Sequence, residues 1–168
     1  MHSVITTRPL GKPVRAARRL RLTLVALALV GLGACTQAPH NLERYVVART
    51  TSGRVLARLP LASRGHFALS YVHSVYDAPG IERFEARADG FTLIGLSSTS
   101  PAVLDYYALE GRRSVERGWW TLAPSRPPRY EKLSLIATEK GRRTLEVEGK
   151  SVPLYEPGRA LHVVLSVN

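Results

Sequence analysis

The chain has 168 residues, 45% hydrophobic and 22% charged, which is enough for one domain of ordinary size and too apolar for wholesale disorder. Eleven prolines and thirteen glycines argue against a helical bundle, and a single cysteine, Cys35, excludes an internal disulfide framework and any Cys-rich metal site. Six of the 24 basic residues lie in residues 1–34 with no acid among them; the remaining 18 face 13 acids and form no basic stripe with interleaved aromatics, so the net charge of +11 does not describe a nucleic-acid surface.

Met1 to Arg21 is basic and runs into Leu22–Ala34, thirteen residues without a charge. As a helix that stretch would reach roughly 20 Å, short of the roughly 30 Å hydrocarbon core of a bilayer, which suits the apolar region of a cleaved signal peptide better than a permanent span. It ends Leu32-Gly33-Ala34-Cys35, which resembles the lipobox of bacterial lipoproteins. Small residues at 33 and 34 let the backbone enter a membrane protease, and a thiol can be converted to a lipid thioether. The resemblance implies cleavage after Ala34 and acylation at Cys35, with membrane lipid as the partner of that residue. Thr36 stands where an aspartate would signal inner-membrane retention, so the expected address is the periplasmic face of the outer membrane in preference to the inner. Residues 35–43 then read as a polar tether.

From residue 44 to residue 168, short β-branched, aromatic and leucine-rich runs alternate with turn signals. Arg44–Thr50 and Arg54–Leu61 flank Thr51-Ser-Gly53, and His66–Val75 leads into a turn over Tyr76-Asp-Ala-Pro-Gly80. Ile81–Ala88 meets Asp89-Gly90, the strongest two-residue hairpin signal in the chain, before Phe91–Ser98. Thr99–Gly118 reads as irregular. Strands resume at Trp119–Leu122, Leu133–Thr138, Thr144–Glu148, Ser151–Tyr155 and Leu161–Val167, and no helix of three turns has a convincing apolar stripe. The expectation is an all-β fold, one antiparallel β-sandwich or barrel of about ten short strands.

Tyr71-Val-His73-Ser74-Val75, followed by Pro79 and Glu82-Arg83-Phe84, resembles a small bacterial family known as a domain of unknown function, DUF1850. Gly53-Arg-Val-Leu56, Leu59-Pro60 and Gly118-Trp119-Trp120 extend the resemblance over approximately residues 45–167. Members often lie in genomes beside TAXI-type TRAP transporters, so the resemblance implies a setting near a solute importer and supplies no reaction. Where many members are glycine-rich after the fifth strand, this chain has Ser97-Ser-Thr-Ser-Pro-Ala-Val-Leu-Asp-Tyr-Tyr107, so any site built from that glycine segment is altered or absent here.

Read physically, a symmetric hairpin would place His73 opposite Arg83 and Ser74 opposite Glu82, and one bulge would bring His73 beside Glu82. Such a polar cluster at the sheet end could contact an anionic ligand, a partner protein or a divalent ion. The plainer reading is a satisfied strand histidine, with Ser74 and Glu82 holding the hairpin by hydrogen bonds. Adjacent residues on a strand point to opposite faces, so one of Trp119 and Trp120 is expected in the core; Tyr106 and Tyr107 would divide in the same way if that segment is extended. The histidines lack close metal-ligand spacing, which leaves open only a looser calcium site using Asp77, Glu82 or Asp105. No Gly-x-Ser-x-Gly elbow surrounds Ser74. These features point to a lipid-anchored, non-catalytic accessory or interaction module without a cofactor. His73, Ser74, Glu82, Tyr106 and Tyr107 are its candidate contacts with a ligand or partner, and TRAP transporter components its candidate partners. The rival readings are a small-ligand or ion-binding domain and a hydrolase using Ser74 and His73.

Overall fold

A computed structural model describes residues 43–168; the expected signal segment, Cys35 and the expected tether up to Leu42 lie outside the described residues. The described residues form twelve strands and one short helix: β1 (Tyr45–Thr50), β2 (Val55–Pro60), β3 (His66–His73), β4 (Ala78–Arg87), β5 (Gly90–Ser98), α1 (Pro101–Tyr106), β6 (Gly111–Glu116), β7 (Trp119–Pro124), β8 (Arg129–Tyr130), β9 (Lys132–Ala137), β10 (Thr144–Val147), β11 (Lys150–Pro153) and β12 (Leu161–Val167). They make two antiparallel sheets, a small one in the order β2-β1-β12-β9 and a larger one in the order β11-β10-β3-β4-β5-β7-β6, with β8 added beside β5. Both sheets are open, so the fold is the two-sheet arrangement and no barrel closes.

Alternation along the strands explains why two sheets meet. In β3, Phe67, Leu69, Tyr71 and His73 turn inward, and in β4 so do Ala78, Gly80, Glu82, Phe84 and Ala86. Val46 and Ala48 of β1 and Val163 and Leu165 of β12 join Phe67, Leu69, Tyr71, Ala78 and Phe84 in one apolar cluster, in which the rings of Phe67, Phe84 and Phe91 stand 5.1–5.4 Å apart. Each fully buried Phe or Leu there contributes about 1.5–3 kcal/mol over an exposed one. Trp120 packs on this core while Trp119 on the opposite face is half-buried, in line with the expected division. Tyr45 N–H donates to the Asn168 carbonyl at 2.7 Å and Asn168 N–H donates back at 3.1 Å, fastening the start of β1 to the end of β12.

Two expectations need correction here. The β3–β4 register runs unbroken from His66 opposite Glu85 to His73 opposite Ala78, so His73 does not face Arg83, and Glu82 faces Leu69 instead of Ser74. The bulge that does occur lies between β4 and β5, at Arg83/Phe84. The cause is the start of β4: Ala78, Pro79 and Gly80 belong to the strand, and the loop is only Ser74–Asp77, closed by Asp77 N–H on the His73 carbonyl at 2.8 Å. Proline fits because Val72, its partner, sends its N–H away from β4 to the Gly141 carbonyl, so Pro79 faces β3 with no hydrogen-bonding edge. On the other side, pairing with β5 begins only at Gly80 and Ser98.

The second correction concerns Thr99–Gly118, which is not irregular but holds α1 and β6. Pro101 sits in the first turn of α1, where its missing N–H costs nothing, and the Ser98 hydroxyl accepts from Ser100 N–H at 3.0 Å. Val103 and Leu104 bury the inner side of the helix.

Candidate functional site

A cavity of about 470 Å³ opens where the β3–β4 hairpin, the C-terminal end of α1 and the β9–β10 turn converge. His73, Ser74, Glu82, Tyr106 and Tyr107 all line it, together with Arg143. The register places them. On the inner face of the large sheet one row is Leu145, Leu69, Glu82 and Leu96, and the next holds Tyr71, Gly80 and Ser98, with His73 and Ala78 beyond. His73 and Glu82 therefore share a face but stand four residues apart along the sheet, about 13 Å. The intervening space belongs to Tyr71, whose ring lies over Gly80 so closely that any Cβ there would collide with it.

Glu82 is 8% exposed in a row of leucines, a position that demands partners for both carboxylate oxygens. Oε1 accepts from the Tyr107 hydroxyl at 2.5 Å, and Oε2 accepts from Arg143 Nη1 at 3.1 Å. Tyr107 has one proton and gives it to Glu82, so the 2.7 Å contact between the Tyr107 and Tyr71 hydroxyls must be donated by Tyr71. The arrangement is a directed chain, Tyr71 to Tyr107 to Glu82. Arg143 stacks above the same Tyr71 ring, its guanidinium carbon 4.7 Å from the centroid. Its place follows from phase: Arg143 precedes Leu145 and Val147, the buried residues of β10, by the two-residue period that puts all three on the inner face.

Glu82 is thus held by α1 and by the β9–β10 turn, and neither Glu82 nor Ser74 holds the hairpin. That task falls to His73, whose Nδ1 accepts from the N–H groups of Val75 and Tyr76 at 3.3 and 3.4 Å. Asp77 completes the loop at φ +46°, a left-handed conformation that aspartate tolerates better than most residues. The His73 ring is flanked by Tyr76 at 4.9 Å and, edge to face, by Tyr106 at 4.8 Å. Tyr106 and Tyr107 do not divide between opposite faces as an extended segment would make them. They end a helix, about 100° apart, and both reach the cavity, Tyr106 66% exposed at its rim and Tyr107 inward. The looser calcium arrangement is not assembled among the described residues, where no group of three His, Cys, Asp or Glu side chains converges. Asp105 is instead paired with Arg113 at 2.6 Å, and Glu82 with Arg143.

Burial, and then the charge of Glu82, push the Tyr107 phenol far above its ordinary range, and burial raises Tyr71 as well. A raised folded-state value means that this contribution to stability is complete below the unfolded tyrosine value near 10 and is lost as pH climbs above it. We expect stability to fall above about pH 10 by up to about 1.4 kcal/mol per pH unit for each suppressed phenol. Absorbance at 295 nm should show these two tyrosines ionising only as the chain unfolds. Ionisation of every tyrosine before the unfolding transition would contradict the directed chain.

Sequence reasoning missed Arg143, Tyr71 and Gly80. Arg143 lies at the end of a charged turn, and the available signal was its phase with Leu145 and Val147. The serine- and tyrosine-containing segment Ser97–Tyr107 supplies a strand end, α1 and two cavity-lining residues, Tyr106 and Tyr107, so the departure from a glycine-rich pattern falls on the site itself.

Fold and site define a two-sheet β domain with a polar cavity at one end, built around a buried carboxylate. The family model described as Domain of unknown function (DUF1850) matches residues 67–154, just over half of the chain, and the chain belongs to that family. The match runs from β3 to just past β11 and leaves out β1, β2 and β12, so it is narrower than the 45–167 read from the sequence; every cavity residue falls inside it. No curated protein and no solved structure matches the chain.

Proposed function

We propose that this protein is a lipid-anchored domain on the periplasmic face of the cell envelope that binds a small ligand without transforming it, in the cavity between the β3–β4 hairpin, α1 and the β9–β10 turn. The observation that carries this reading is the convergence there of three separate chain segments, with a satisfied buried carboxylate organising the hydroxyls and guanidinium around it. About 470 Å³ lies in the range of ligand pockets. Against a hydrolase, His73 Nδ1 is occupied by loop amides, and Ser74 Oγ makes no hydrogen bond to His73 or to any other described residue. The anchor rests on the Leu32–Cys35 motif, and the setting implied by the family resemblance is an accessory role beside a TRAP-type importer.

Three measurements test this. In a bacterial host with two membranes, the full chain should incorporate labelled palmitate, and Cys35→Ser should abolish the label; an unlabelled wild type would remove the anchor. The purified full chain should then be melted with carboxylic acids, amides and sugars in turn. A ligand at 100 times its Kd adds about 2.7 kcal/mol, or several degrees in Tm. Ser74→Trp, at an exposed position on the cavity wall, should cancel the shift. No stabilising class, or an equal shift in Ser74→Trp, would count against binding in this cavity. Unchanged solute uptake in a deletion strain would separate the domain from the importer.

A further inference from the structure

Hydrogen-bonding capacity in the cavity is lopsided, and that limits what can fill it. Arg143 has five N–H donors, never accepts, and uses one, on Glu82 Oε2; no other partner for it occurs among the described residues. The Glu82 contact is single, so the remaining edge of the guanidinium fork is unspent. His73 is equally committed: with Nδ1 accepting from two loop amides, its proton sits on Nε2, which has no partner among the described residues while the ring lines the cavity. Glu82, the acidic side chain of the cavity wall, has one hydrogen bond on each oxygen, and the Tyr107 and Tyr71 protons are consumed in reaching it. The unpartnered side-chain N–H groups of the cavity lining therefore belong to Arg143 and His73, and both are donors, whereas each Glu82 oxygen already accepts one hydrogen bond. The apolar part of the lining is Ile136, 57% exposed, and the Tyr106 ring, 66% exposed and edge to face with His73.

Resting on the binding reading above, we propose that the ligand is a small organic oxyanion, its anionic head held by the free edge of Arg143 and by His73 Nε2–H, its apolar body lying against Ile136 and Tyr106. A planar fork suits a two-oxygen head. In this scheme Glu82 and Tyr71 are positioning residues: one ties down a single nitrogen of Arg143, the other supports the face of the guanidinium, and together they fix the direction of the unspent edge.

The test uses calorimetry on the full chain with three probes, benzoate, its neutral counterpart benzamide, and inorganic phosphate. Benzoate should bind saturably and at least tenfold more tightly than either of the others. Arg143→Lys, which keeps a cation beside Glu82 but loses the fork, should weaken benzoate at least tenfold while the far-ultraviolet spectrum stays that of the wild type. Tyr106→Ala, at an exposed position outside the core, should weaken benzoate severalfold and leave phosphate unchanged. Benzamide binding as tightly as benzoate would overturn the oxyanion and leave the binding reading standing, and phosphate matching benzoate would overturn the apolar body. Heat from none of the three, together with no melting shift for any class in the wider panel, would bring down the binding reading itself.

Discussion

Replacing Arg143 with methionine should cost the folded chain about 3 kcal/mol, the lower part of the range for breaking a buried ion pair by removing one partner. Glu82 is the reason: its side chain is only 10% exposed, so without the guanidinium it keeps a charge among leucines with the Tyr107 hydroxyl as its sole donor. Arg143 itself is 21% exposed at the cavity, which tempers the penalty. Against a typical stability of about 5–15 kcal/mol the loss is large. Removing the charge as well, in Glu82→Gln/Arg143→Met, should recover about half of it, because an amide is far less costly to leave half-satisfied than a carboxylate. Urea unfolding measures both as midpoint shifts at constant slope. If the double variant loses as much as the single one, the two side chains do not act as a pair.

Gly80→Ala should be the other strongly destabilising change, by about 2–3 kcal/mol, as expected for overfilling a packed interior. A Cβ at position 80 would stand 2.8 Å from Tyr71 Cε1 and 2.5 Å from its Oη, and closer still to Cζ. The ring cannot shift without disturbing the contact of its hydroxyl with Tyr107 and its stacking against the Arg143 guanidinium. In a Tyr71→Ala background the same substitution should cost nothing or add a little stability, since alanine loses less backbone freedom on folding than glycine. A double-mutant cycle isolates the coupling, which should approach the full single-site cost. Equal costs in both backgrounds would show that Gly80 answers to something other than Tyr71.

Much of this architecture could be read from the chain because half-buried strands advertise themselves. Asp89-Gly90 announced the β4–β5 hairpin, and the alternation in Phe67-Ala-Leu-Ser-Tyr-Val-His73 announced β3. β6 stayed hidden for the complementary reason: all six of its residues are exposed, so it has no apolar rhythm to betray it. Ala78-Pro-Gly80 looked like a turn because proline and glycine usually make one. Here the first needs no donor and the second makes room for an aromatic ring, facts that belong to neighbouring strands and not to the tripeptide. The site was legible in part. His73, Ser74, Glu82, Tyr106 and Tyr107 were singled out and do line one cavity, but the pairing imagined for His73 and Glu82 was wrong, and Arg143 arrives from 61 positions beyond Glu82. Local spacing cannot forecast a contact made by a distant strand in the same phase.

The fastening of Tyr45 to Asn168 has a practical corollary. Both ends of the domain leave from one pole of the small sheet, whereas Ile136 and Thr138 on the cavity wall sit at the other pole, near Leu161 and the far end of β1. The length of β12 separates the poles by about 20 Å. A tag or surface linkage attached at Asn168 would therefore hold the molecule by its base, leaving the mouth unobstructed for whatever is offered to it.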